Sequence, residues 1–161
     1  MSQGVHTGAL QIRNPRLARL YAYWQARRGE RLMPSRGDID PIEMKEWLGN
    51  LVLIEFLGGG VENFRIRVDG TNIAEYSGSD RTGTGAERIT SAQERRVLFV
   101  QYGAVLDQRR PAYHETEFTN SEGRFMREEK LLLPLSADGD TVNMVLAGIY
   151  YVPLQPRPSG D

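Results

Sequence analysis

The sequence contains no cysteine among its 161 residues. That absence excludes disulfides, cysteinyl metal sites, thiol catalysis and flavin photochemistry through a cysteinyl adduct. Histidine is scarce as well, with only His6 and His114 in the whole chain. Catalytic designs that depend on histidine are therefore severely limited, and the sequence offers no nucleophile motif or phosphate-binding loop in their place.

An excess of charge of one sign is also lacking, because 20 Lys and Arg residues face 21 Asp and Glu residues. This balance leaves no net field to attract nucleic acid or anionic lipid. The longest apolar stretch, residues 144–154, is too short to span a bilayer and is interrupted by Gly148. The first ten residues lack the basic start and apolar core of a secretory signal. We therefore expect a cytoplasmic protein without nucleic-acid or membrane partners.

Two helices are predicted within residues 1–49, after a short leader. Asn14-Pro15 indicates a helix start, because asparagine caps helices and proline suits the first helical position, and Gly29 indicates its end. Asp40-Pro41 indicates a second start, with Gly49 as its end. The first helix carries an apolar stripe at helical spacing, formed by Leu17, Leu20, Tyr21 and Trp24.

The remaining patterns predict five strands, over residues 51–57, 64–68, 112–119, 125–135 and 141–152. A short helix after Gly70 that stops at Gly78, and a long helix over residues 89–108, separate the second strand from the third. Two blocks of strands around a helical block favour an α+β fold with an antiparallel sheet. The predicted domain spans residues 50–152, and residues 153–161, with three prolines, form an irregular tail.

Short motifs at the junctions of these elements carry a family resemblance. Gly70-Thr71, Gly78 and Asp80 to Gly83 lie where the second strand passes into the short helices, and Leu133 to Gly139 forms the turn before the last strand. Together with the element order, they resemble the PAS domain superfamily over roughly residues 15–152. Three N-terminal motifs resemble one bacterial family of stand-alone PAS proteins: Tyr23-Trp24, Arg28-Gly29 and Met33 to Pro41.

This resemblance implies a five-stranded antiparallel sheet with the short and long helices on one face, preceded by two accessory helices. It also implies a non-catalytic sensory or regulatory module of signal transduction, which binds a small molecule or a partner protein and acts by conformational change. Some PAS domains bind haem through histidine. We do not expect haem here, because His114 is more simply a hydrogen-bonded, half-buried residue of the third strand. The cofactor therefore remains unassigned.

A ligand of such a module would lie between the inner face of the sheet and the helical block. Side chains with an apolar body and a polar tip suit a small organic ligand better than a nucleotide. The candidates for ligand binding are Tyr76, Tyr102, His114 and Phe118.

Three charged residues are candidates for further sites. Asp38 and Asp40 would make only a weak cation site, so we expect no metal. Asp40 is better placed to cap the second helix, and Arg36 can neutralise Asp38. Arg67 lies on the polar face of its strand, where it is either solvated or an anchor for an acidic partner, including Asp38 or Asp40 of the N-terminal segment.

The apolar stripe Leu17, Leu20, Tyr21 and Trp24 needs to be covered. We expect it to form the interface of a homodimer, or else to dock on the outer face of the sheet in the same chain. Two other functions stay open. One is a structural dimerisation adaptor without a ligand; the other is a small ketosteroid-isomerase-like enzyme, for which Glu117 and Tyr102 are the nominal acid–base candidates.

Overall fold

The structure, a computed structural model, describes residues 10–156. The first nine residues of the predicted leader, including His6, and the last five residues of the predicted tail lie outside the described residues. The described part contains α1 (Pro15–Arg28), α2 (Thr71–Ser77), α3 (Ala92–Gln108), β1 (Leu51–Phe56), β2 (Phe64–Asp69), β3 (Ala112–Thr119), β4 (Phe125–Leu135) and β5 (Met144–Pro153).

The five strands form one sheet in the order β2-β1-β5-β4-β3, and every neighbouring pair is antiparallel. This confirms the predicted fold class. In register, Leu51 of β1 and Leu131 of β4 both lie opposite Gly148 of β5. The outer edge of β2 is bonded to a following loop, since Ile66 N donates to Thr84 O at 2.8 Å and Gly83 N donates to Ile66 O at 2.7 Å.

The two faces of the sheet have different covers. Helices α2 and α3 lie over the inner face, as predicted. On the outer face lies α1, which begins where the Asn14 side chain accepts a hydrogen bond from Arg16 N at 2.9 Å. The indole Nε1 of Trp24 donates to the backbone oxygen of Pro134 in β4 at 2.9 Å. The helix is thereby fastened to the sheet of its own chain.

The apolar stripe of α1 is consequently buried within one chain. Leu17 and Leu20 are 0% exposed, Trp24 is buried, and Tyr21 is half-buried against the core. Of the two expectations for this stripe, the structure shows docking on the outer face. Within one chain the sheet covers most of this stripe, and a contact of these four side chains with a second protomer stays a prediction. The homodimer itself stays a prediction.

The second accessory helix is not α-helical. Hydrogen-bonded turns cover residues 41–47, and short 3₁₀ turns cover Arg36–Asp38 and Leu48–Asn50. The backbone bonds here span three residues, as in Glu43 N to Asp40 O at 3.0 Å. Tertiary anchors fix this path: Asp40 N donates to the Tyr23 hydroxyl at 3.0 Å, and Trp47 Nε1 donates to Arg16 O at 2.8 Å.

Candidate functional site

An open cleft of about 690 Å³ lies between the inner face of the sheet and the helical block. Its walls come from α2, the loop that follows it, α3 and strands β3 to β5. A smaller cavity of about 80 Å³ shares several of its lining residues. The side chains that matter for its chemistry are Tyr76, Arg81, Phe118, Glu128, Lys130 and Tyr151.

Three aromatic rings form an apolar patch in the cleft. Tyr76 of α2 lies parallel to Tyr151 of β5, with ring centroids 3.7 Å apart and planes within 7°. Phe118 of β3 meets both rings edge to face, at 6.3 Å from Tyr76 and 6.2 Å from Tyr151. Burial, followed by the charge of Glu128, raises the pKa of the Tyr151 hydroxyl, which therefore stays neutral. Tyr76 remains 39% exposed at the mouth.

Lys130 brings a buried ammonium group to this cleft from β4. Its side chain is only 8% exposed. Nζ donates to Gln101 Oε1 of α3 at 3.0 Å and forms an ion pair with Glu128 Oε1 at 3.2 Å. A lysine ammonium carries three donors. Two of them have acceptors within the described residues, and the third is free for a group in the cleft.

Arg81 lies in the loop after α2 and lines both the cleft and the smaller cavity. Its backbone N donates to Asp69 Oδ2 at 2.9 Å, whereas its side-chain Nε lies 3.6 Å from the same oxygen, beyond hydrogen-bond distance. Nε is buried and has no hydrogen-bond partner among the described residues. The Asp69 side chain is completely buried. The guanidinium is therefore held near Asp69 by charge, and its Nε donor has no acceptor within the described residues.

The predicted ligand residues do not all meet in this cleft. Tyr76 and Phe118 line it. Tyr102 is buried and lines the smaller cavity instead, edge-on to Phe56 at 5.7 Å and to Phe64 at 5.6 Å. His114 lines neither space. Contact of these residues with a ligand stays a prediction, and the geometry supports it best for Tyr76 and Phe118.

His114 lies on the inner face of β3, directly opposite Lys130 of β4. Burial, and then the charge of Lys130, lowers the pKa of its imidazole. Nε2 is buried without a hydrogen-bond partner, so the expected hydrogen-bonded histidine is wrong for this nitrogen. Because the side chain does not line the cleft, nothing in its placement makes it a contact for haem.

The three charged candidates Asp38, Asp40 and Arg67 have local roles. Arg67 Nε donates to Glu55 Oε2 at 2.9 Å, so its acidic partner is Glu55 of β1 and not Asp38 or Asp40. Asp38 pairs with Arg31 Nη1 at 2.9 Å rather than with Arg36. Asp40 Oδ1 accepts from Ile42 N at 2.9 Å, which is a cap on a turn. Within residues 10–156, no three His, Asp or Glu side chains are grouped as a metal site.

Glu117, the other half of the nominal acid–base pair, is exposed on β3 between Thr116 and Phe118, which line the cleft. Strand alternation therefore places Glu117 on the opposite face of the sheet. Tyr102 lies on the inner side, so the sheet separates these two candidates. They cannot act together on one substrate.

The sequence interpretation missed the polar half of the cleft. The signal was present in β4, where Arg127, Glu128, Glu129 and Lys130 are four charged residues in succession. In a strand that is covered on both faces, water can solvate such a run of charges only poorly. Each charged side chain therefore needs a hydrogen-bond or ion-pair partner, or has a functional role. Arg81 had no comparable signal, because its position depends on the path of a loop.

The sheet order β2-β1-β5-β4-β3, with α2 and α3 over one face, defines the class of protein as PAS-like. The family model described as PAS domain matches residues 12–150, and the chain belongs to that family. PAS domains are generally sensory or signalling modules. A search of curated proteins finds no match.

Two solved structures show the same fold. One is a sensory box sensor histidine kinase from Vibrio cholerae, with a TM-score of 0.50 and 16% identity, covering 71% of this chain and 92% of that chain. The other is the PAS domain of Bordetella pertussis BvgS, with a TM-score of 0.51 and 13% identity, covering 72% of this chain and 87% of that chain. In the described part of the chain, none of the helices has the length and apolar character to cross a membrane.

Proposed function

We propose that this protein is a non-catalytic sensory module that binds a small organic molecule in the cleft and responds by a change of conformation. The observation that carries the proposal is the open cleft itself, of about 690 Å³, at the place where α3 faces the sheet. Ligand pockets typically measure about 300–1,000 Å³ and combine apolar walls with a few polar groups.

If the protein were a dimerisation adaptor without a ligand, we would expect the space between the sheet and the helices to be filled. Protein interiors pack at crystal-like density and leave few voids larger than a water molecule. The cleft departs from that expectation, because it leaves an open volume beside an aromatic patch and the buried ammonium of Lys130. The enzyme alternative loses support because Glu117 and Tyr102 lie on opposite sides of the sheet.

Binding would act through the elements that form the cleft. A molecule between Tyr76 of α2, Gln101 of α3 and Phe118 of β3 would touch both layers of the domain at once. It would stabilise the arrangement in which those contacts are made and so shift the population of conformations. A second copy of the chain, or a separate signalling protein, would receive the change on a surface other than the buried stripe of α1.

Native mass spectrometry of the intact chain, purified without denaturation, tests the proposal. We expect the wild-type protein to retain a small molecule and Thr116→Trp to lose it, because Thr116 is exposed in the cleft and an indole there would fill the space. Thr119→Trp is the matched control, since Thr119 is an exposed residue of β3 on the opposite face. A molecule retained equally by both variants would contradict a site in the cleft.

A further inference from the structure

Resting on this proposed function, we propose that the cleft selects a small aromatic carboxylate. Its carboxylate would bind the guanidinium of Arg81 and the free donor of the Lys130 ammonium. Its ring would pack on the patch formed by Tyr76, Phe118 and Tyr151. The cleft would thereby discriminate between an anion and a neutral molecule of the same shape.

The unused donors of Arg81 are the first argument. A guanidinium has five N–H donors in a rigid fork whose geometry matches a carboxylate. Within residues 10–156, Arg81 donates a hydrogen bond to its acidic neighbour from the backbone N, to Asp69 Oδ2. The side chain lies 3.6 Å from that oxygen and forms no hydrogen bond within residues 10–156. An anion in the cleft would supply the missing acceptors.

The buried carboxylate of Asp69 does not block this role. Its side chain is 0% exposed, so it lies behind Arg81 and does not line the cleft. It attracts the guanidinium by charge, and Nε is the side-chain nitrogen nearest to it. The edge of the fork formed by the two terminal amino groups lies farther from Asp69 and is the one that would meet an anion. A ligand carboxylate would accept charge-assisted hydrogen bonds from that edge, which are stronger than neutral ones.

Lys130 is the second argument, because it lines the same two spaces as Arg81. Gln101 and Glu128 satisfy two of its three donors and fix the position of Nζ. Arg81, Glu128 and Tyr151 line the cleft together with Lys130. The polar groups and the aromatic patch therefore face a common volume.

The cleft also contains two carboxylates, Glu94 and Glu128, and neither removes the preference for an anionic ligand. Glu128 is bound to Lys130, so its charge is already compensated. Glu94 lies on the first turn of α3 and is exposed, where water screens its charge. Arg88 is likewise exposed and donates to Ser79 Oγ at 3.1 Å. The cationic groups that Arg81 and Lys130 bring to the cleft are therefore the ones that favour an anion.

The test uses the intact chain and two probes of nearly equal shape, benzoate and benzamide. Titrations followed by amide chemical shifts should show benzoate binding about tenfold more tightly than benzamide, consistent with a charge-assisted pair. The largest shifts should fall on Arg81, Lys130 and Tyr151. Equal affinities, tighter binding of benzamide, or no binding of benzoate at millimolar concentration would overturn the proposal. So would phenyl phosphate binding more tightly than benzoate, because the anion would then be a phosphate.

Arg81→Lys keeps the charge beside Asp69 but removes the fork. We expect benzoate affinity to fall about fivefold to tenfold while benzamide affinity is unchanged. Arg96→Lys is the matched control, because Arg96 is exposed on α3 and does not line the cleft; it should change neither affinity. Unchanged benzoate affinity in folded Arg81→Lys would overturn the role of Arg81. A neutral molecule that is retained by the wild type and lost in Thr116→Trp would overturn this inference and leave the proposed function intact.

Discussion

Gly148 of β5 lies so close to Leu17 of α1 that a Cβ at position 148 would be 2.7 Å from Leu17 Cδ2. The same Cβ would be 2.7 Å from Leu20 Cδ2. Both leucines are completely buried, so neither can swing into solvent to make room. The absence of a side chain at this point is what lets α1 approach the sheet.

We therefore expect Gly148→Ala to lower the free energy of unfolding by about 1–3 kcal/mol, the usual cost of overpacking a core. Urea denaturation followed by circular dichroism measures it. Gly103→Ala is the matched control, because Gly103 lies within α3 and a Cβ there meets nothing within 4 Å. That variant should be stabilised by about 0.5–1 kcal/mol through helix propensity. Equal stability of the two variants would contradict a close approach at Gly148.

Removal of residues 1–37 tests the role of α1 as a cover for the outer face. Without α1, the buried side chains of Leu131 and Leu133 would meet water, and each such leucine contributes about 1.5–3 kcal/mol when fully buried. We expect the chain that starts at Asp38 to lose cooperative thermal unfolding. A chain that starts at Leu10 keeps every residue described at that end and should unfold as the whole protein does. A stable, cooperative chain from Asp38 would show that α1 is dispensable.

Asp138 lies in the turn before β5, and the lowered pKa of its carboxyl group predicts a loss of stability in acid. Hydrogen bonds from the backbone N–H groups of Thr141 and Asp140, and then from the Ser136 hydroxyl, lower its pKa to about 2. The folded state thus holds this proton more weakly than the unfolded state, whose pKa lies near 3.8. The stabilisation is present above about pH 4 and is lost as the pH falls toward 2.

Asp138→Asn keeps a side-chain oxygen for the turn but cannot titrate. The difference in unfolding free energy between the wild type and this variant should shrink between about pH 4 and pH 2. Urea denaturation across that range measures the difference. A difference that stays constant over these pH values would contradict the assignment to Asp138.

His114 should titrate below its ordinary pKa of 6.5, because burial and the facing Lys130 disfavour the imidazolium. The unfolded chain binds this proton more tightly, so protonation of His114 removes stability as the pH falls below about 6.5. Imidazole chemical shifts measured by NMR give the pKa directly. Lys130→Met should raise it only in part, because burial remains. A wild-type value at or above 6.5 would be incompatible with the placement of His114.

The strands were predictable because their patterns are local. Phe64, Ile66 and the charged residues between them alternate with the period of a strand, and glycines mark the turns on either side. The start of α1 could be read in the same way, since Asn14 caps it through its own neighbour Arg16. The second helix could not, because its path depends on Tyr23 and Trp47, whose partners lie elsewhere in the chain.

The residues of the cleft likewise divide into those that local patterns predict and those that depend on tertiary contacts. Tyr76 and Phe118 are ligand candidates that the sequence pattern predicts. The fold packs both against Tyr151, a residue that the pattern does not indicate. The same reasoning placed Tyr102 beside them, whereas it packs against Phe56 and Phe64. A side chain's face can be read from periodicity, but the neighbour that it meets across a layer cannot.

The sequence by itself determined the fold class, the order of the elements and the existence of an apolar stripe on α1, because each can be read from local patterns of apolar spacing, caps and turn residues. Only the tertiary structure decided what covers that stripe and where the free donors of Arg81 and Lys130 lie. Those outcomes depend on long-range packing: Gly148 admits Leu17 from far away in the sequence, and Asp69 holds Arg81 beside a β4 lysine. Local sequence patterns do not indicate which residues far apart in the chain come into contact. The chemistry of these groups could therefore be inferred only from the folded structure.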